Sequence, residues 1–258
     1  MAAACVSFWH GRALGPIERA CIRSMLRHGH SLALYAYDPP DGVPTGVEMR
    51  DAATVLPRDL LFHHRNGSPG MFADWFRYEL LRRDCGTWVD IDLYFLAPLD
   101  ERRPYLFGLQ EPGIINNAVL RLPSGSPLLN GLLRIFEEDA APVRWLSARE
   151  RLADTWKRNV MRERSAARLP WGATGPRALT AIAKELGLSH WALPIETFYP
   201  MPWQRADWIA DPAVRLEEVA GDRTVAVHLW NQLIGPLMDM PPHPGSFLAR
   251  LVSEGAGE

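Results

Sequence analysis

One stretch of the chain changes from helical spacing of its apolar residues to strict alternation. Five apolar side chains fall at spacings that place them on one helical face: Phe72, Trp75, Phe76, Leu80 and Leu81. Gly86 follows, where a left-handed C-terminal cap favours glycine. From Thr87 to Leu93 polar and apolar side chains alternate, so that Trp88, Asp90 and Asp92 extend from one side of a strand. The pattern predicts an amphipathic helix joined to a buried strand that carries two aspartates on one face.

Asp90 and Asp92 together offer carboxylate oxygens to a hard divalent cation. An Asp-x-Asp pair alone is a weak signal, because two solvated loop carboxylates have the same spacing. The preceding helix strengthens the interpretation, since Asp74 and Arg77 lie three residues apart on one face and can act at a single site.

The first forty residues predict the start of an α/β sheet. Ala4–Trp9 is an apolar strand, an amphipathic helix follows Gly15-Pro16 and ends near His28, and Ser31–Tyr37 is a second strand. A strand–helix–strand unit is typical of nucleotide-binding sheets, whose ligands lie outside the carboxyl ends of the strands. No glycine-rich phosphate loop follows the first strand, which argues against a dinucleotide fingerprint or a P-loop.

Further elements follow the aspartates. The pattern predicts strands over 105–110, 114–122 and 224–231, and helices over 126–138 and from a Gly/Pro turn to about residue 186. Asn116 and Asn117 interrupt an apolar strand, and buried amides need hydrogen-bonding partners such as sugar hydroxyls or neighbouring strands. His228 and Trp230 lie two residues apart, and we expect both on one face of the last strand. An imidazole beside carboxylates shifts metal preference from Mg²⁺ toward Mn²⁺.

Two other segments have the composition of a metal site and of a nucleic-acid-binding face. Adjacent His63 and His64 have diverging side chains, so a solvated loop is favoured over a metal site; whether residues 57–70 act as a lid stays open. Residues 140–170 are arginine-rich with interleaved tryptophans, but acidic residues are mixed in, which favours a solvated helix pair over a nucleic-acid face.

Composition limits the class of protein. A chain of 258 residues with 47% hydrophobic residues suits a single domain, and a net charge of −2 provides no general field for nucleic acid or an anionic membrane. Three cysteines without metal spacing predict buried reduced thiols. No apolar run approaches membrane-spanning length and no basic segment precedes the first strand, so we expect a cytoplasmic, bacterial protein without signal peptide or membrane anchor.

The motif around the aspartates resembles a known family. Asp74-Trp-Phe-Arg77-Tyr78 and Cys85-Gly86-Thr-Trp88-Val-Asp90-Ile-Asp92 are similar to the core signature of glycosyltransferase family 32 and of the glucosyltransferase domains of the large clostridial toxins. Three further segments resemble the family: Phe8-Trp9-His10-Gly11, the Thr-Gly-Pro-x-x-Leu-Thr run beginning at Thr174, and the closing His228-x-Trp230. The family usually has two glycines before the strand, where this chain has Cys85-Gly86.

The resemblance implies a GT-A fold, a Rossmann-like α/β domain with a central mixed, mostly parallel sheet flanked by helices. It implies one catalytic domain over 1–258, with a nucleotide-sugar-binding half at 1–100, an acceptor side and C-terminal metal-site strand at 101–236, and a tail at 237–258. It also implies transfer of a sugar, with retention of configuration, from a nucleoside-diphosphate sugar to the hydroxyl of a glycan, glycolipid, protein or small molecule. We expect a UDP-sugar rather than a GDP-sugar, and no nucleic-acid partner.

The same resemblance assigns residue roles. The metal, Mn²⁺ or Mg²⁺, would be held by Asp90, Asp92 and His228. The catalytic residues would be Asp74, Arg77, Asp90 and Asp92. The nucleotide sugar would contact Trp9, Asp74, Arg77, Trp88, Asp90, Asn116, Asn117 and Trp230.

Other functions stay open on the residues alone. A haloacid-dehalogenase-type phosphatase also has an Asp-x-Asp after a strand, but it needs a phosphate-binding lysine, and this chain has only Lys157 and Lys184. A retaining hydrolase needs two carboxylates on either side of the bond, for which Asp74, Glu111 and Glu196 are candidates. A sugar-binding or effector module without turnover is the non-enzymatic alternative.

Overall fold

The structure is a computed structural model that describes residues 3–137, 143–163 and 165–257. The strands within these ranges are β1 (Ala4–Phe8), β2 (Ser31–Ala36), β3 (Val47–Asp51), β4 (Thr87–Val89), β5 (Leu93–Phe95), β6 (Leu106–Glu111), β7 (Ile114–Arg121) and β8 (Ala226–His228). The α-helices are α1 (Pro16–Arg27), α2 (Gly70–Arg82), α3 (Pro127–Leu133), α4 (Ala148–Asn159), α5 (Pro176–Glu185), α6 (Leu216–Val219), α7 (Asn231–Ile234) and α8 (Phe247–Ala256). None of the helices in the described ranges combines the length and the apolar character needed to cross a lipid bilayer.

Six strands form a mixed, mostly parallel sheet in the order β3-β2-β1-β4-β7-β6. Strands β3, β2, β1 and β4 pair in parallel, β7 runs antiparallel to β4, and β6 runs antiparallel to β7. The carboxyl ends of β1 and β4 therefore meet at one edge of the sheet. The α/β class and the mostly parallel sheet predicted from the sequence are confirmed, and the topology is compatible with a Rossmann-like fold.

Helices cover both faces of this sheet because its strands alternate. In β1, Val6 and Phe8 pack with the aromatic residues of α2, whereas Cys5 packs with the residues of α1 on the opposite face. The outer side of α1 contributes to a third core with α8 and the indole of Trp208. Helix α1 is thus buried on two sides, which explains why its inner positions include small residues such as Ala20 and Cys21.

The continuous strand predicted over Thr87–Leu93 is wrong. Ladder pairing in β4 stops at Val89, and the chain turns through Asp90 and Asp92 into β5, which pairs antiparallel with β8 in a separate two-stranded sheet. Trp88 and Asp90 nevertheless stay on one side, because the Trp88 indole donates a hydrogen bond to the Asp90 carboxylate. The two aspartates therefore lie at the junction between two sheets.

Gly86 does not cap α2 as the sequence predicts. The left-handed residue after the helix is Asp84, with φ 53°. Gly86, with φ 136°, passes so close to β1 that a Cβ atom there would lie 2.4 Å from the carbonyl oxygen of Ala4. The glycine is required by strand packing instead.

Several element boundaries also differ from the prediction. The helix over 126–138 is shorter: α3 ends at Leu133, a 3₁₀ turn follows over Arg134–Phe136, and Glu138 lies outside the described residues. In place of a helix pair over 140–170, the structure has α4 and a 3₁₀ turn at Ala166–Arg168, with 140–142 and 164 outside the described residues. The last strand covers only Ala226–His228, because Trp230 adopts the left-handed conformation that starts α7.

Candidate functional site

Asp90, Asp92 and His228 form one cluster. Each offers one ligand atom, and the three atoms all lie within 4.8 Å of one another. The aspartates are positioned by the turn after β4, and the histidine by strand β8. Leu93 pairs with His228 across the β5–β8 ladder, and the Leu229 amide donates to the Asp92 carbonyl, so that the imidazole reaches the junction between the sheets. The predicted metal residues are thus brought together by two short strands far apart in sequence.

Asp90 uses one carboxylate oxygen for all its protein contacts. Its Oδ1 accepts from Trp88 Nε1 at 2.6 Å and from Arg77 Nη2 at 3.0 Å, while the Arg77 guanidinium lies 4.6 Å from the centre of the Trp88 ring. Arg77 also donates to the Asn117 carbonyl at 2.6 Å. No donor among the described residues reaches Oδ2 of Asp90, which leaves this oxygen for a ligand.

Asp92 is oriented from two sides. Its Oδ2 accepts the backbone N–H of Asn231 at 3.0 Å, and its Oδ1 lies 3.3 Å from His228 Nε2. The other ring nitrogen of His228, Nδ1, is buried and has no hydrogen-bond partner among the described atoms. Two carboxylates and an imidazole with an unpartnered buried nitrogen are a donor set that fits a divalent cation.

Burial and the charges within the cluster shift the pKa values of its three residues. Burial raises the pKa of Asp90, although Arg77 opposes the rise. Burial favours the neutral form of His228, but the Asp92 and Asp90 carboxylates outweigh it and raise the pKa of the imidazole. Burial likewise disfavours the Asp92 carboxylate, but His228 and the backbone N–H of Asn231 together outweigh it and lower the pKa of Asp92. A protonated His228 would supply positive charge at the cluster, which a bound cation would replace.

Asp74 lies at the cavity wall, but its oxygens already have protein partners. Oδ1 accepts from the Asn117 amide at 2.8 Å and Oδ2 from the Thr174 hydroxyl at 2.7 Å. Gly175 passes so close that a Cβ there would be 2.9 Å from Oδ2. Burial raises the pKa of this carboxyl, against the influence of Arg77 and the two donors. Asp74 therefore joins α2 to β7 and to the turn before α5, and it holds Asn117 in place.

The neighbouring Asn116 is also engaged within the protein. Its amide donates to Gln110 at 2.6 Å, and its oxygen accepts the Ala118 N–H at 2.7 Å. Both asparagines line the same cavity as Asp74. They contribute polar groups to a wall whose geometry is set by β6, β7 and α2.

Two cavities meet at the cluster. The larger, about 560 Å³, is lined by Asp74, Asn116, Asn117, Arg177 and three tryptophans: Trp171, Trp203 and Trp230. The second, about 390 Å³, is lined by Ser7, Trp9, His10 and Trp88. Six residues belong to both: Gly70, Arg77, Asp90, Asp92, Asn231 and Gln232. The Asp90–Asp92–His228 cluster thus lies between two cavities, each of a size suited to a small-molecule fragment.

The predicted tryptophans differ in what they can contact. Trp9 follows β1 and is partly exposed at the second cavity, with its buried Nε1 lacking a hydrogen-bond partner among the described atoms. Trp88 is only 2% exposed, so its main contact is the hydrogen bond to Asp90 rather than a ligand. Trp230 packs edge-to-face on His228, with ring centres 4.2 Å apart, and donates to the Met201 carbonyl.

The loop that contains His63 and His64 borders the second cavity. His63 is exposed with its ring 5.3 Å from His10, His64 packs 5.4 Å from Trp171, and Ser68 accepts a hydrogen bond from Gln232. The Asp–Asp–His cluster is the one group of possible metal ligands within the described residues, so the adjacent histidines are not part of one. His63 is exposed, as the predicted solvated loop requires, whereas His64 is half-buried.

The sequence assigned no role at the site to Glu18, Thr174, Trp171, Trp203 or Asn231. Glu18 accepts a hydrogen bond from the Asn231 side chain and so reaches the cluster from α1. Asn231 directly follows the His-x-Trp segment, and Thr174 opens the Thr-Gly-Pro segment, so both had a local signal. Glu18 had none, because its partner lies 213 residues away.

No protein-family model, curated protein or solved structure matches the chain.

Proposed function

We propose that the chain is a metal-dependent glycosyltransferase of GT-A type, similar to glycosyltransferase family 32. The observation that carries this proposal is the convergence of Asp90, Asp92 and His228 at the carboxyl end of β4, between two cavities. Ligands of open α/β sheets bind outside the carboxyl strand ends. The motif resemblance supports the family, and the mostly parallel sheet is compatible with it.

The donor is a nucleoside-diphosphate sugar, for which we favour UDP. The base packs on Trp9 in the smaller cavity, the diphosphate lies at the cluster, and the sugar enters the larger cavity. A divalent cation bound there would supply Lewis-acid neutralisation of the charge that grows on the departing diphosphate. The imidazole among the ligands favours Mn²⁺ over Mg²⁺.

The chain's own residues bind and orient. Arg77 is buried, reaches both cavities and is fixed by Asp90 and the Asn117 carbonyl, so it presents a positive charge beside the diphosphate. Asn117 is held by Asp74 at the wall that faces the sugar. Transfer proceeds with retention to a hydroxyl of a glycan, glycolipid, protein or small molecule in the larger cavity.

The alternatives have less support from the side chains. Neither lysine lines either cavity, and Lys157 donates to the Arg168 carbonyl, which leaves a phosphatase without its phosphate-binding lysine. The hydrolase candidates Glu111 and Glu196 contact Trp203 and Arg223 respectively and line neither cavity. A binding module without turnover would share every feature of the cluster, so only activity separates it from a transferase.

The test is release of nucleoside diphosphate from a panel of UDP- and GDP-sugars with Mn²⁺. We expect turnover that chelation abolishes, and a loss of about 100-fold or more in Asp92→Asn and His228→Gln. Asp222→Asn removes an exposed carboxylate that belongs to no cluster and should leave the rate unchanged. Turnover that survives Asp92→Asn contradicts the mechanism, release of phosphate from simple monoesters favours the phosphatase, and donor binding without turnover favours the module.

A further inference from the structure

Helix α4 presents its apolar side chains to solvent. Leu152 is 73% exposed, Trp156 55% and Val160, which caps the helix, 63%. These residues are spaced by four and therefore share one face of the helix. Met161, directly after them, is 51% exposed. A surface helix ordinarily buries such a face against its own core.

The inner face of α4 is polar instead. Asp154 is the buried residue of the helix, and it lies about 200° around the axis from Leu152. Its carboxylate pairs with Arg168 at 2.7 Å, and their side chains are 2% and 4% exposed. At the start of the helix Glu150 pairs with Arg177 at 2.9 Å. Helix α4 therefore has its polar face toward the protein, where ion pairs hold it, and its apolar face toward solvent.

Exposed arginines lie beside the outward apolar face: Arg149, Arg151 and Arg162. Lys157 and Arg158 lie within about 60° of Asp154 around the helix axis and belong to the inner side. Of the three acidic side chains from residue 148 to residue 163, Glu150 and Asp154 pair with Arg177 and Arg168, and the third is Glu163. The local charge is therefore positive although the net charge of the chain is −2.

The inner side of helix α4 adjoins the larger cavity. Arg177, the partner of Glu150, lines that cavity, and Lys157 is near enough to Arg65 for the arginine to lower the pKa of its amine, an effect second to that of burial. Arg65 belongs to the loop whose His64 packs on Trp171 at the cavity wall. Helix α4 is thus connected to the wall of the larger cavity through Arg177.

We propose that the exposed face of α4 docks on an anionic lipid surface. Leu152, Trp156 and Val160 insert at the level of the headgroups, and the flanking arginines contact lipid phosphates. A second copy of the chain is a poorer occupant, because a two-fold contact would bring identical basic surfaces together. The proposal goes beyond the proposed function and does not depend on it.

Flotation of the full chain with lipid vesicles tests the docking. We expect the protein to float with vesicles of phosphatidylglycerol and phosphatidylcholine in equal parts, to remain behind with phosphatidylcholine alone, and to be released by salt. Failure of the wild-type chain to float with the anionic vesicles, or equal flotation with both kinds, overturns the proposal.

Variants locate the surface. Leu152→Ser and Trp156→Ser should each lower vesicle partitioning by about tenfold or more, and Arg149→Glu by about 30-fold. Met240→Ser is the matched control, because Met240 is 67% exposed but lies beside Pro16 and α8. All four side chains are exposed, so circular dichroism and thermal unfolding should match the wild type.

Two further results would overturn the assignment. One is unchanged partitioning of the folded Trp156→Ser chain. The other is a dimer, measured by sedimentation without lipid, that Trp156→Ser dissociates while the wild type ignores vesicles. A folded Trp156→Ser chain that loses flotation and keeps its release of nucleoside diphosphate in solution supports the docking surface apart from the catalytic proposal.

Discussion

Glu18 reaches the Asp90–Asp92–His228 cluster from the first turn of α1. Its carboxylate accepts a hydrogen bond from the Asn231 side chain, and the Asn231 backbone N–H donates to Asp92 at 3.0 Å. Burial raises the pKa of Glu18, because the hydrogen bonds to its carboxylate compensate only in part for desolvation. Glu18 thus positions Asp92 through Asn231 without contacting a ligand itself.

Removal of this support should weaken metal binding. We expect Glu18→Ala to lower the Mn²⁺ affinity of the chain about tenfold, as is usual when an outer partner of a ligand is lost. Glu18→Gln keeps an oxygen acceptor for Asn231 and should restore most of the affinity. Calorimetric titration measures both, with Asp222→Ala as the exposed control. Equal affinities for Glu18→Ala and Asp222→Ala would contradict the positioning role.

Metal affinity should also depend on pH through His228. The pKa of the imidazole is raised by Asp92 and Asp90 against the effect of burial, so the free protein retains this proton to a higher pH than an ordinary histidine. A metal ligand must be deprotonated, and the affinity should therefore fall about tenfold for each pH unit below the raised pKa and level off above it. At lower pH the raised pKa of Asp90 adds a second loss.

Calorimetry in buffers of different ionisation enthalpy measures this proton release directly. His228→Gln has no imidazole proton to lose. Its Mn²⁺ affinity should be weaker and should not change with pH in the range where the wild-type affinity changes most. A wild-type affinity that does not change through this range would show that His228 is not a ligand.

The three residues of the cluster could be predicted from local patterns, but the residues that support them could not. Asp90, Asp92 and His228 belong to short motifs with recognisable spacing. Glu18 follows no such motif, since its role depends on α1 packing beside β5 and on a partner 213 residues away. The role of Asp74 at the nucleotide sugar, which the family resemblance implies, stays a prediction. Its hydrogen bonds to Asn117 and Thr174 could not be predicted, because hydrophobic periodicity does not encode such pairings.

At the scale of elements, the strand over Thr87–Leu93 shows what alternation leaves undetermined. Alternation of polar and apolar residues indicates only to which side each side chain extends. One continuous strand and two strands separated by a turn, as in β4 and β5, can give the same alternation. Which neighbour each half pairs with depends on β7 and β8, which arrive much later in the sequence. Helix α1 was predictable within a residue or two because its buried face, its proline at the start and Gly29 at the end agree.

Strand β3, which the sequence analysis missed, is an edge strand. Its sequence, Val47-Glu-Met-Arg-Asp51, has three exposed and two half-buried positions. It pairs on one side only, with β2. Its backbone hydrogen bonds hold it in the sheet. Because every residue type except proline can form them, the hydrophobic pattern of the sequence does not reveal this strand.

Helices α1 and α8 cross at a glycine. A Cβ atom on Gly255 would lie 2.0 Å from the carbonyl oxygen of Pro16, a backbone atom that cannot rotate away. We expect Gly255→Ala to lower the free energy of unfolding by about 1–3 kcal/mol, because the helices must move apart.

Chemical denaturation measures this change. Gly235→Ala is the matched control, since Gly235 has helical φ and ψ angles and a Cβ there would meet nothing within 4 Å. It should be neutral or slightly stabilising. Equal free energies of unfolding for the two variants would contradict the prediction, because they would show that α1 and α8 can move apart without loss of stability.

At the scale of the whole molecule, the cluster lies between the six-stranded sheet and the two-stranded sheet of β5 and β8. Asp90 and Asp92 follow β4 of the six-stranded sheet, whereas His228 belongs to the β5–β8 pair. The outer core of α1, α8 and Trp208 packs behind that pair. A cation bound by all three residues would join the two sheets.

Mn²⁺ should therefore stabilise the chain and protect its last strand. With free Mn²⁺ about 100 times above its Kd, we expect about 2.7 kcal/mol of added stability, observed as a higher Tm. Hydrogen exchange should slow most in Ala226–His228 and α7, and less in β2 and α3. His228→Gln should lose both effects. An equal rise in Tm for the variant and the wild type would indicate binding elsewhere.

The distance along the chain between the two halves of the cluster has a consequence for synthesis. Asp92 leaves the ribosome 139 residues before Asn231, the residue whose backbone orients it. Most of the central sheet can form while the chain is still being synthesised, but Asp90 and Asp92 meet the imidazole of His228 only after β8 has been made. A truncated product that ends before β8 would lack the imidazole, so the proposed cation site can be complete only after His228 has been synthesised.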